Sequence, residues 1–123
     1  MNYRDGPLSE GVAGEVHGGD RLPWARVEGI DNFDTLSSLG WQVHVYGTAS
    51  GALETWCRDH DLPLHRFDWH AQYQEAGLAR DALYLMRPDS YVALADGTGT
   101  PGGIEHYFAS RGIELGKPAT EAR

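Results

Sequence analysis

Two apolar runs, Ala82-Leu83-Tyr84-Leu85-Met86 and Tyr91-Val92-Ala93-Leu94-Ala95, flank the four residues Arg87-Pro88-Asp89-Ser90 and constrain the chain more than any other feature. Pro88 presets φ for the second position of a turn and Asp89 suits the third, so the spacing predicts a β-hairpin closed by a type I turn. A type I turn makes no demand for glycine at its fourth position, and Ser90 is expected to fit there. Whatever else folds must therefore pack on a sheet that contains an antiparallel pair.

The rest of the chain offers mixed elements. Trp41 to Tyr46 alternates, with Trp41, Val43 and Val45 on one face and Gln42, His44 and Tyr46 on the other, which predicts a half-buried strand closed by Gly47. Behind Thr48 and Ser50 as caps, Ala49, Leu53, Trp56 and Cys57 share one side of a helix that Pro63 must follow rather than join. Leu64 to Trp69 reads as a second strand, and Ala71 to Ala79 as a polar connection with a helical turn. Ile104, Tyr107, Phe108 and Arg111 mark a last helix, with Pro101 at its first position and Gly112 as its stop. Phe33, Leu36 and Leu39 suggest a short helix capped by Asp31 or Asn32 and ended by Gly40.

Residues 1–29, with six glycines and little periodicity, read as an extended arm; residues 30–116 as the domain proper; residues 117–123 as a frayed tail. A length of 123 residues suits one such domain. Strand, helix, strand, connection, hairpin and helix in that order give an α/β fold, a central mixed sheet with flanking helices, and a thioredoxin-like layout satisfies the order as several other α/β sandwiches do.

Composition narrows the partners. Eighteen acidic against ten basic residues leave a formal charge of −8, which repels phosphate backbones and anionic lipid, so nucleic acid is not an expected partner. No apolar run has the length of a signal peptide or a membrane span, and a lone Cys57 excludes an internal disulfide; both lead to the expectation of a cytoplasmic protein.

Three stretches, in order, resemble the end of the flavin-dependent aromatic hydroxylases, the phenol- and polyketide-hydroxylase type of FAD monooxygenase. Tyr3-Arg4-Asp5-Gly6-Pro7-Leu8 is similar to the Tyr-Arg-x-Ser-Pro-Leu stretch at the exit from the flavin region. Gly19-Asp20-Arg21-Leu22-Pro23 is similar to the Gly-x-Arg-x-Pro signature opening the C-terminal domain. Leu85 to Ala93 resembles the Val-Arg-Pro-Asp-Gly-Tyr-Val-Ala hairpin, with Ser90 where glycine is usual and Leu94-Ala95 in place of Trp-Arg. The resemblance implies a thioredoxin-like C-terminal domain whose relatives bind FAD and NAD(P)H upstream of the segment matched here. It carries no catalytic, cofactor-binding or metal residue onto this chain, and it implies a structural or assembly role with a second copy or a separate flavoprotein as partner. The alternative is a small independent α/β protein that binds or acts on an aromatic ligand.

Residue by residue, the chemical motifs read as structure. Gly97-Thr98-Gly99-Thr100-Pro101-Gly102 spells a dinucleotide fingerprint, but its strand belongs to a hairpin and no second strand follows to present an acidic residue to a ribose. Cys57 falls on the apolar stripe of its helix, where a thiol is inert. His65, Asp68 and His70 form the tightest group of metal-ligand types, yet His65 and His70 point to opposite faces of a strand. Ser37, Ser50 and Ser110 lack a nucleophile-elbow context. Trp24 and Trp69 stand outside the periodic segments and are expected at a partner surface. Val12, Val16, Leu22 and Trp24 of the arm are expected to form a homodimer interface or to meet another partner.

Overall fold

The computed structural model describes residues 9–33 and 40–112. The short helix over Phe33–Leu39, the Tyr3–Leu8 stretch and the tail fall wholly or largely outside the described residues.

The hairpin forms where its turn chemistry places it. β7 (Leu83–Met86) and β8 (Val92–Asp96) pair antiparallel, with an irregularity at Leu85/Met86. The Ser90 amide donates to the Arg87 carbonyl at 2.9 Å, and the Arg87 amide to the Tyr91 carbonyl at 2.8 Å. Ser90 itself has φ +74°, so the turn is followed by a left-handed residue. Such a loop matches the twist of the strands by placing one residue at positive φ, a position suited to glycine. The expectation that Ser90 fits without demand is therefore corrected: the loop closes, with backbone strain at that residue.

β5 (Gln42–Tyr46) lies beside β7, antiparallel, and beside β6 (Leu64–Phe67), parallel. Between them runs α1 (Gly51–Asp59), capped by the Ser50 hydroxyl, which accepts from the Leu53 amide at 3.1 Å. α2 (Ala71–Glu75) connects β6 to β7, and α3 (Pro101–Arg111) follows β8 and ends on Gly112 in the left-handed region. The fold is a mixed α/β one. In its core the sheet order is β8-β7-β5-β6.

The N-terminal arm extends this sheet. β1 (Glu10–Ala13) pairs parallel with β8, and β2 (Val16–His17) folds back on β1, giving six strands in all among the described residues. Gly18 passes where a Cβ would run into the backbone of Glu10 and Ala93, so this crossing needs glycine. β3 (Arg26–Val27) and β4 (Ile30–Asp31) make a separate small ribbon.

Two apolar clusters fill the two sides of the sheet. α1 and α3 cover one, where Leu53, Cys57, Ile104, Tyr107 and Phe108 pack on Val43, Val45 and Leu85. On the other, Leu22, Ala25 and Val27 of the arm and Tyr73 of α2 pack with Tyr46, Phe67, Tyr84 and Met86. Val16 and Leu22 are thus spent on the chain's own core, which corrects their assignment to a partner interface. All five residues of β5 are buried, so the half-buried strand read from the alternation is corrected too: its polar face is roofed by the arm.

Candidate functional site

The polar face of β5 carries a hydrogen-bonded row that runs through the protein interior. Period-two alternation puts Gln42, His44 and Tyr46 on one side, and Asn32, delivered by the ribbon, closes the row from the arm. The Asn32 amide donates to the Tyr46 hydroxyl at 3.0 Å and to the Pro23 carbonyl at 2.8 Å. Its oxygen accepts from the Ala25 amide at 2.9 Å. His44 Nδ1 lies 2.8 Å from the Tyr46 hydroxyl and His44 Nε2 lies 2.9 Å from Gln42 Oε1.

The orientation of the Gln42 carboxamide sets the direction of the row. A carboxamide oxygen only accepts, so Nε2 of His44 carries the proton and Nδ1 is left to accept from Tyr46. Tyr46 in turn accepts from Asn32. Burial, with a smaller contribution from His65, holds the His44 imidazole neutral and lowers its pKa to about 3. Burial likewise raises the Tyr46 phenol far above its ordinary range. Both groups stay neutral, packed among Phe67, Tyr73 and Tyr84, and link the arm to the sheet.

A second tyrosine fastens the hairpin of the arm. The Tyr84 hydroxyl accepts from the Ala79 amide at 2.8 Å and donates to the Ala13 carbonyl at 3.0 Å. Sequence reading missed Asn32, His44 and Tyr46 as one group, since Asn32 was assigned to a helix cap and the other two to a solvent face. Asp31 Oδ1 accepts from the Phe33 amide at 2.8 Å, and the helix that either residue was expected to cap lies outside the described residues. Three polar residues at period two in a strand so apolar on its other side were the available signal.

The glycine-rich segment between β8 and α3 is a loop. Asp96 Oδ1 accepts from the Thr98 amide at 2.9 Å and its hydroxyl at 2.7 Å, and the carboxylate sits against Gly103. An anion approaching the Thr98 amide meets a carboxylate already bonded to it. Cys57 is buried on the last turn of α1, where burial pushes its thiol up to about 11. His65, on β6, packs its ring edge against His44, with centroids 5.9 Å apart, whereas His70 precedes α2 and lies 3.9 Å from Glu28. Among the described residues no three histidine, cysteine, aspartate or glutamate side chains gather as metal ligands. Nor is any described helix long and apolar enough to cross a membrane.

Of the two suspected tryptophans, Trp24 is 58% exposed, and its indole donates to Asp31 Oδ2 at 3.0 Å. Trp69 is half-buried against Tyr73. Open depressions mark the described surface. One, of about 360 Å³, lies between Ile30 and residues 64–68; another, of about 500 Å³, has Glu15, Trp69, Gln74 and Arg80 on its wall.

The geometry defines a small mixed α/β domain whose buried polar groups are engaged with one another. No family model matches the chain, and no curated protein matches it. Among solved structures, RebC-10x soaked with chromopyrrolic acid and holding 7-carboxy-K252c is 26% identical over 67% of this chain and 16% of that one, at a TM-score of 0.49. RebC treated likewise and holding the same compound is 26% identical over 71% of this chain and 17% of its own, at the same 0.49. Both likenesses are distant and partial, and the chain spans a small part of the length of either protein.

Proposed function

We propose that this chain is a non-catalytic, thioredoxin-like module of the kind that closes the flavin-dependent aromatic hydroxylases, acting by association rather than by chemistry of its own. One observation carries the reading: two of the three stretches that resemble that family meet in space as one paired unit. The Gly19 amide donates to the Val92 carbonyl at 2.6 Å, and the Val92 amide to the Asp20 carbonyl at 2.8 Å. Arg21 bridges Tyr91 through the backbone and lays its guanidinium 5.7 Å from the centre of the Tyr91 ring. Motifs that arose by chance in sequence have no reason to become neighbours.

The strand order supports the thioredoxin-like part of the reading. A parallel β5-α1-β6 unit, with an antiparallel hairpin added on the β5 side and a helix after it, is the layout that such a domain requires. An acidic surface and a buried thiol suit a cytoplasmic protein that meets neither nucleic acid nor anionic lipid.

The test is a titration of the purified chain with FAD, NADPH and phenol, followed through its tryptophan fluorescence. None is expected to bind saturably. Yellow flavin copurifying in stoichiometric amount would overturn the module reading. Saturable phenol binding that is lost in Trp69→Ala would instead favour a ligand-binding protein, for which the depression beside Trp69 and Arg80 is the supporting observation.

A further inference from the structure

We infer that the free edge of β6 is a self-complementary surface that pairs two copies of this chain about a two-fold axis through Phe67. Among the described residues β6 has a neighbour on one side only. The Pro63 carbonyl accepts from the Val43 amide at 2.9 Å and the Phe67 carbonyl from the Gly47 amide at 2.7 Å, so the odd-numbered residues face β5. By the alternation of a parallel ladder, the N–H and C=O groups of Leu64, Arg66 and Asp68 then point outward. An edge of this kind is a template for another strand.

The side chains specify which strand. With the axis on Phe67, antiparallel pairing sets Arg66 opposite Asp68 of the second copy and Asp68 opposite its Arg66. Phe67 then faces Phe67, and His65 faces Trp69. Arg66 and Asp68 are both exposed and already lie 2.9 Å apart within one strand, so two copies would join four charges of alternating sign. The parity agrees: Arg66 and Asp68 hold outward backbone groups and would be the hydrogen-bonded pairs, and Phe67 a non-bonded pair. Neighbouring registers are worse. An axis on Arg66 opposes two arginines, and one on His65 opposes Arg66 to Leu64. Ile30, 54% exposed, flanks the same edge across the 360 Å³ depression and offers apolar surface beside the joint. The surface therefore fits a second copy of the chain better than an arbitrary strand.

This inference deepens the partner half of the module reading. The two fail separately, because flavin titration tests one and association tests the other.

The experiment is sedimentation of the full chain over a wide dilution series, at about 0.15 M salt to screen the net charge. The wild type is expected to dimerise. Asp68→Arg and Arg66→Asp, each checked for fold by circular dichroism, are each expected to weaken self-association by about tenfold or more. An equimolar mixture of the two variants restores opposite charges across the joint and is expected to dimerise. A wild type that stays monomeric, a single variant that dimerises like the wild type, or a mixture that does not associate would each overturn the proposal. Hydrogen exchange serves if a variant misfolds: the Arg66 and Asp68 amides of the wild type should slow as concentration rises while that of Gly47 does not. Exchange independent of concentration at those two amides overturns the proposal as well.

Discussion

Asn32 reaches Tyr46 at 3.0 Å across the boundary between the arm and the sheet, and through it the segment around Pro23 and Ala25 is fixed to the central strand. Leu22, Ala25 and Val27 of the arm and Tyr73 of α2 add apolar packing on the same side of the sheet.

Asn32→Ala removes a partner from Tyr46, the Ala25 amide and the Pro23 carbonyl together. The expected loss is roughly 2–3 kcal/mol, because buried groups left unpaired cost more than the bond itself contributes. Tyr46→Phe should cost less, roughly 1–2 kcal/mol: one Asn32 N–H and His44 Nδ1 lose the hydroxyl, while Asn32 keeps its two backbone partners. Urea unfolding measures both, and limited proteolysis should cut the Asn32→Ala arm first.

The His44 imidazole carries a pH dependence of definite sign. Its pKa falls from 6.5 to about 3 on folding, so the unfolded chain takes up the proton first. The associated stability is complete above the unfolded pKa and is lost as pH falls from 6.5 toward 3, at up to about 1.4 kcal/mol per pH unit. Unfolding midpoints measured from about pH 7 down to about pH 4 should drop more steeply for the wild type than for His44→Gln.

Ser90, at φ +74°, occupies backbone space suited to glycine. Ser90→Gly is expected to stabilise the chain by about 0.5–1 kcal/mol, the relief of left-handed strain less the added freedom of the unfolded glycine. A higher thermal midpoint with an unchanged fold is the readout, and a lower one would contradict the reading of the turn.

Cys57 lies on the buried face of α1, with its thiol held up at about 11 by burial. It should react with a disulfide reagent only as fast as the domain opens, and at once in denaturant. Cys57→Ser is expected to abolish no activity; a peroxidase or reductase activity lost in that variant would mean the helix had been misread.

What could be read from sequence was local. The Pro88-Asp89 turn, the Ser50 cap, Pro101 and Gly112 act within a few residues of themselves, and the hairpin, α1 and α3 follow from them. The interior row was illegible because its roof comes from Pro23 to Asn32, far along the chain from His44. Alternation shows that Gln42, His44 and Tyr46 share a face; only packing decides whether water or protein covers it. The same holds for the open edge of β6, which nothing in Leu64 to Trp69 announces until the sheet order is known. Ser90 was misjudged for a different reason, since turn type alone omits the left-handed residue needed to rejoin twisted strands.

The parallel pairing of β1 with β8 sets Glu10 beside Leu94, and Arg111 closes the same corner on Glu10 at 3.1 Å. Such a seam cannot form on a growing chain until Arg111 has followed Glu10 out of the ribosome. Its closure should come late in folding, as contacts between distant parts of a sequence generally do. The arm would then be the last segment to dock in refolding and the first to let go when the domain is pulled or heated.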